Sequence, residues 1–76
     1  MPRRYRPREV IRVLERLGWR TVRQRGRHVR LEMPDGRNPV TVPVSRRELD
    51  PKTLGSILRQ SGLSVNEFLN AVEETL

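Results

Sequence analysis

The sequence predicts an α+β fold: a three-stranded antiparallel sheet with its helices on one face, in the order α-β-β-β-α-α. Three observations point there. Apolar residues recur at helical spacing near both ends of the chain. Between them, residues 28–33 and 38–44 alternate apolar with polar side chains. A Pro34-Asp35-Gly36 turn separates those two segments, and Asp and Gly tolerate the backbone angles such a turn imposes.

The first helix is expected over residues 7–17. Pro7 suits the first helical position, where its missing N–H would be unpaired anyway. Tyr5, ahead of the cap, can meet Val10 as a hydrophobic staple. Val10, Leu14 and Leu17, with Ile11 and Val13 beside them, make one apolar stripe, and Gly18 ends the helix. Residues 19–24 are rich in Trp, Thr and Val and read as a strand, although their alternation is unclear. In residues 28–33, Val29, Leu31 and Met33 take one face; His28, Arg30 and Glu32 take the other. Val40, Val42 and Val44 share a face in residues 38–44. With Asp35 and Gly36 central in the turn, Leu31 pairs with Val40 and Val29 with Val42. Pro39 and Pro43 cannot donate ladder hydrogen bonds, so this strand belongs at a sheet edge. Asp50 then caps a helix begun by Pro51, with Leu54, Ile57 and Leu58 inward and Ser61-Gly62 as its stop. Ser64 and Glu67 form a capping box for the last helix, 64–75, with Leu63 and Phe68 as its staple; Leu69 and Val72 continue its stripe. The sheet face that carries His28 and Arg30 is left open to solvent or ligand.

Seventy-six residues allow one domain, 1–76, with 1–6 as a basic N-terminal arm. A core this small leaves a net stability of a few kcal/mol. Cysteine is absent, which excludes disulfides, zinc-thiolate sites and a cysteine nucleophile, and fits a reducing cytoplasm. No apolar run approaches the roughly 20 residues of a membrane span, and the basic start lacks the apolar stretch of a secretory signal. The formal charge of +7 is uneven. Residues 1–30 hold 11 Arg against Glu9 and Glu15, which leaves +9; residues 31–76 hold 5 basic and 7 acidic residues, which leaves −2. A basic half beside a mildly acidic one suggests a polyanion-binding surface.

His28 is the only side chain that titrates near neutral pH without perturbation. Neighbouring arginines are expected to disfavour imidazolium and keep the ring in the form a general base needs. RNA supplies its own nucleophile, the 2′-hydroxyl, so a neutral imidazole and nearby cations suffice for strand cleavage without metal. Glu32 shares His28's face, but four residues of strand put it roughly 13 Å away, too far to orient the ring. No Asp/Glu/His group has metal-ligand spacing. Gly26 serves a tight turn and can also let a phosphate approach the backbone. Trp19 and Phe68 read as core residues, and Tyr5 as a staple rather than a catalytic acid. Helices over 50–75 also suggest a helix-turn-helix reader, but its would-be recognition helix carries Glu67, Glu73 and Glu74 and no cation, which repels phosphate.

Several segments, in this order and spacing, resemble the HicA family of mRNA interferase toxins. They are Arg8-Glu9-Val10-Ile11, Leu17-Gly18-Trp19, Arg23-Gln24-Arg25-Gly26-Arg27-His28, Pro34-Asp35-Gly36-Arg37, Val40-Thr41-Val42-Pro43-Val44 and Glu48-Leu49. Lys52-Thr53-Leu54, Ile57-Leu58-Arg59-Gln60-Ser61-Gly62 and Phe68-Leu69 complete the set, and the likeness spans about residues 7–72. The resemblance implies a double-stranded-RNA-binding-domain-like fold, mRNA cleavage, a catalytic histidine at the position of His28 and a cognate HicB-type antitoxin that covers the active surface. Arg27 stands where the family usually has Ser, and Ser45 where many members have a second His. A mechanism that needs two imidazoles is therefore excluded here.

The resulting expectation is an mRNA-cleaving toxin with neither metal nor small-molecule cofactor and no membrane partner. His28 transfers the proton. Arg25 and Arg27 hold the phosphate, with Arg23, Arg30 and Lys52 as weaker candidates. The alternatives are a non-catalytic RNA-binding module of the same fold and, third, a helix-turn-helix DNA-binding regulator.

Overall fold

The computed structural model describes residues 3–76, so Met1 and Pro2 of the expected arm lie outside the described residues. The elements run α1 (Pro7–Arg16), β1 (Arg20–Arg25), β2 (His28–Glu32), β3 (Val40–Pro43), α2 (Pro51–Ser61) and α3 (Val65–Thr75). The strands form one antiparallel sheet in the order β1-β2-β3. The expected α+β order is met, and β3 with its Pro43 stands at an edge.

The apolar alternation of β2 and β3 builds the core. Val29 and Leu31 on β2 and Val40 and Val42 on β3 are buried, and they pair as Val29↔Val42 and Leu31↔Val40. Over them lie Val10, Val13 and Leu14 of α1, Leu54, Ile57 and Leu58 of α2, and Phe68, Ala71 and Val72 of α3, in one hydrophobic cluster. Phe68 is fully buried, and its ring packs edge-to-face with that of Tyr5, the ring centres 5.2 Å apart. Leu17, expected in the α1 stripe, instead lies at the surface. The helix ends at Arg16, Leu17 leaves helical angles, and the turn aims it outward.

The helix ends are chemically closed. Glu67 N–H donates to Ser64 Oγ at 3.0 Å while Ser64 N–H donates to the Glu67 carboxylate at 2.8 Å, the expected reciprocal box. Thr53 N–H donates to Asp50 at 2.8 Å. Gly62, at φ +78, ends α2 in the left-handed conformation a C-terminal glycine supplies. Trp19 is buried and donates its indole N–H to Asn38 O at 2.9 Å; the Asn38 amide donates to Ser61 O at 2.9 Å. The first bond ties the β2–β3 connection to the residue ahead of β1, and the second ties it to the end of α2. The third strand, expected over 38–44, is correspondingly shorter, because Asn38 sits at φ +49 and Pro39 precedes the ladder. Among the described residues no helix is long and apolar enough to cross a membrane.

β1 differs from its partners. All six of its residues are exposed. Its register slips between Thr21 and Arg23: Thr21 pairs with Leu31 and Arg23 with Arg30, leaving Val22 as an extra, 53% exposed residue. This bulge is why no alternation shows in residues 19–24.

Candidate functional site

The outer face of the sheet is assembled from the register. His28 opens β2, is exposed, and lies between Arg25 on β1 and Pro43 on β3. One step along, Arg30 lies between Arg23 and Thr41. Arg23, Arg25, His28, Arg30 and Thr41 together line an open depression of about 270 Å³. The Val22 bulge matters here. It absorbs one residue, so Arg23 and Arg25 fall opposite Arg30 and His28 on the outer side.

Within this depression the cations are not equivalent. Arg30 Nε is 3.1 Å from the Glu32 carboxylate, a half-buried pair at the surface worth about 1 kcal/mol. Its charge is partly answered before any ligand arrives. Arg23 and Arg25 form no ion pair among the described residues. Glu32 is thus engaged by Arg30 and not by His28.

Gly26 and Arg27 make the turn between β1 and β2. Gly26 has φ +57, the residue type a two-residue hairpin wants first. A Cβ there would meet nothing within 4 Å, so the requirement is for the backbone angle and the turn is open on that side. Arg27 is not in the His28 depression. It lines a neighbouring cleft with Arg6, Pro7, Arg8, Val44, Ser45, Arg46 and Arg47. Lys52 is also elsewhere, in a shallow depression with Thr41, Pro43, Thr53, Ser56, Ile57, Arg59 and Gln60 that borders the His28 site at Thr41 and at Pro43, the cross-strand neighbour of His28. Of the residues expected from the sequence, the structure therefore gathers His28, Arg23, Arg25 and Arg30. It sets Arg27 and Lys52 on either flank.

Thr41 is the addition that sequence reasoning missed. Its signal was present: with Val40 and Val42 inward, Thr41 must face outward beside Arg30. Its N–H donates to the Gln60 side chain at 2.9 Å, which anchors β3 to α2.

The aromatic residues are structural. Tyr5 is buried with Arg3 stacked 4.6 Å from its ring centre, and Trp19 and Phe68 lie in the core. The carboxylates held below their usual range belong to caps and turns. The Arg37 backbone N–H lowers Asp35, the Thr53 N–H lowers Asp50, and the Ser64 N–H lowers Glu67. Among the described residues no three His, Asp or Glu side chains stand together as a metal site. α3 packs against α1, buries Phe68, Ala71 and Val72, and sets Glu74 3.6 Å from Arg16. Its remaining face is acidic, which argues against a DNA-reading role.

What the outer face can do follows from these placements. It can receive a phosphate between two unpaired guanidiniums and bring one imidazole beside it. A family model described as the HicA toxin of bacterial toxin–antitoxin matches residues 7–63. No curated protein matches the chain.

Proposed function

The chain belongs to the HicA toxin family of bacterial toxin–antitoxin systems, and from that premise we propose that it is a metal-independent endoribonuclease acting on mRNA. The observation that carries the reading is the single imidazole, exposed in a depression whose other charged groups are Arg23, Arg25 and Arg30.

The reaction this arrangement supports is an in-line transfer within the RNA itself. Neutral His28 accepts the proton of the ribose 2′-hydroxyl as O2′ attacks the adjacent phosphorus. The bond from phosphorus to the 5′-oxygen breaks, and that oxygen leaves with a proton from water or from the imidazolium just formed. The products are a 2′,3′-cyclic phosphate and a 5′-hydroxyl. Arg23 and Arg25 stabilise the charge that builds on the non-bridging oxygens, an electrostatic contribution made before the reaction starts. Arg30 assists with the part of its charge that Glu32 leaves, and Gly26 keeps the turn open to the strand. Arg27 and Lys52 bind the strand on either side of the reacting phosphate. The toxin acts in the cytoplasm, where mRNA is found. Its partner is a HicB-type antitoxin that covers this basic face with acidic side chains.

One observation favours a second reading, a non-catalytic RNA-binding module. Arg23, Arg25, Arg30 and Thr41 offer His28 no second group suited to proton transfer. Labelled RNA with a single 2′-deoxy substitution at the mapped cleavage site decides between the two. Cleavage of the all-ribose strand in EDTA, with the substituted strand resistant, supports the nuclease. No cleavage of either strand supports the binding module, and loss of cleavage with chelator defeats the metal-free mechanism.

A further inference from the structure

Beside the His28 depression lies a larger and more strongly charged feature. Arg6 and Arg8 at the start of α1, Arg27 of the β1–β2 turn, and Arg46 and Arg47 of the β3–α2 connection face one cleft of about 690 Å³. Five guanidiniums come from three separate segments, and among the described residues none of their side chains forms an ion pair. Glu9, the nearest acid in sequence to Arg6 and Arg8, is already held by Arg3 at 2.9 Å and accepts the Arg6 backbone N–H at 2.9 Å. Glu48, beside Arg47, is exposed and also forms no ion pair among the described residues.

The three segments are fastened together. Val44 N–H donates to Arg27 O at 2.6 Å, and Leu49 N–H donates to Tyr5 O at 2.8 Å. Between those two anchors, Ser45 Oγ bonds both the N–H and the carbonyl of Arg47, at 3.3 and 3.2 Å. The backbone that carries the arginines is thus preorganised, and their mutual repulsion is built in before a ligand arrives. Such an arrangement is relieved by an anion with several charges.

We infer that this cleft is a phosphate track for RNA nucleotides flanking the one at His28; the inference deepens the nuclease reading above and rests on it. Two features favour RNA over an acidic protein segment. The cleft and the His28 depression are lined by consecutive residues, Arg27 and His28, so a strand of a few nucleotides can reach both. Protein partners anchor on an apolar or aromatic side chain sunk in a fitted pocket. Among the described residues the only apolar ones lining this cleft are Pro7 and Val44. A repeating phosphodiester needs no such socket, only cations at intervals.

The test is binding of 2′-O-methyl RNA, which lacks the attacking hydroxyl and stays intact whatever His28 does. Two strands are used, about three and about twelve nucleotides long, each titrated over a range of salt. The variants are Arg46→Gln with Arg47→Gln and, as an independent pair on another segment, Arg6→Gln with Arg8→Gln. Each pair is expected to weaken the longer strand about tenfold. Each should also make its salt slope shallower by about 1.4, from roughly 0.7 per lost phosphate contact on a single strand. The effect on the short strand should be smaller. An unchanged slope for the longer strand in both pairs overturns the inference. So does a poly-glutamate peptide of equal charge that binds more tightly than the RNA and is lost in the same variants, since the cleft then takes an acidic protein. Failure of the nuclease reading shows separately, as an all-ribose strand that wild-type protein leaves uncut.

Discussion

The β1–β2 hairpin, residues 20–32, and the α2–α3 pair, residues 51–75, are of opposite construction. Every residue of β1 is exposed, and among the charged side chains of β1 and β2 the only ion pair in the described residues is Arg30 with Glu32. In α2 and α3, Leu54, Ile57, Leu58, Phe68, Ala71 and Val72 are buried, and both helices begin with a carboxylate or hydroxyl on the backbone N–H groups. The helix pair holds the molecule together. The hairpin borrows that stability through Val29 and Leu31 and uses its outer surface for charge. Side chains on the outer surface of the hairpin can therefore change with little effect on folding, and those under the helices cannot.

That contrast breaks most severely if a core residue proves dispensable. Phe68→Ala removes a fully buried ring and is expected to cost about 3–5 kcal/mol, comparable to the whole stability of a chain this size. Circular dichroism should show an unfolded or barely folded protein at 25 °C; a cooperative melt near wild type contradicts the division of labour. On the other side of the sheet, Arg23→Gln with Arg25→Gln should slow RNA cleavage about 100-fold and leave the melting temperature unchanged. A drop in melting temperature equal to that of a core variant would mean the hairpin is structural after all. Arg30→Gln should have a smaller effect, about tenfold or less on cleavage, because Glu32 already offsets its charge.

The smallest effect concerns pH and belongs to the helix caps. Asp50 and Glu67 are held below their ordinary values of 3.8 and 4.5, in each case chiefly by a backbone N–H bond to the carboxylate. A carboxyl lowered in the folded state contributes stability that is fully present above its unfolded value and is lost as pH falls through the folded one. The melting temperature should therefore be flat down to about pH 5 and decline below about pH 4.5. Asp50→Asn keeps a good capping residue but removes one of the titrating groups, so its decline should be shallower. An identical acid profile in this variant sinks the assignment to the cap.

Much of this was readable from the chain. The turn at Asp35-Gly36 together with two runs of alternating valines and leucines set the β2–β3 register, because a slip of one residue would put every apolar side chain in water. The Ser64–Glu67 box and the Asp50-Pro51 start announced their helices through local chemistry alone. β1 was less legible because its bulge at Val22 breaks the period of two, and because a strand with no buried face leaves no hydrophobic signature. Of the site, His28 and Arg30 could be placed on one face by counting along β2; Arg23 and Arg25 could not, because residues 19–24 show no alternation to count across. Nor could Arg27, since a turn residue has no period to follow, and the backbone bond from Val44 turns it into the adjoining cleft. Lys52 could not be placed for a related reason: its neighbours are set by how α2 docks on β3, which no spacing encodes.

The claim on which the comparison rests is that the exposed imidazole performs chemistry and supports no structure. Its most direct test is His28→Ala, with RNA cleavage and thermal melting measured on the same preparation. The account predicts cleavage reduced by at least about 100-fold with an unaltered melt, as expected when a general acid–base is removed. Cleavage at the wild-type rate by the folded variant would contradict it.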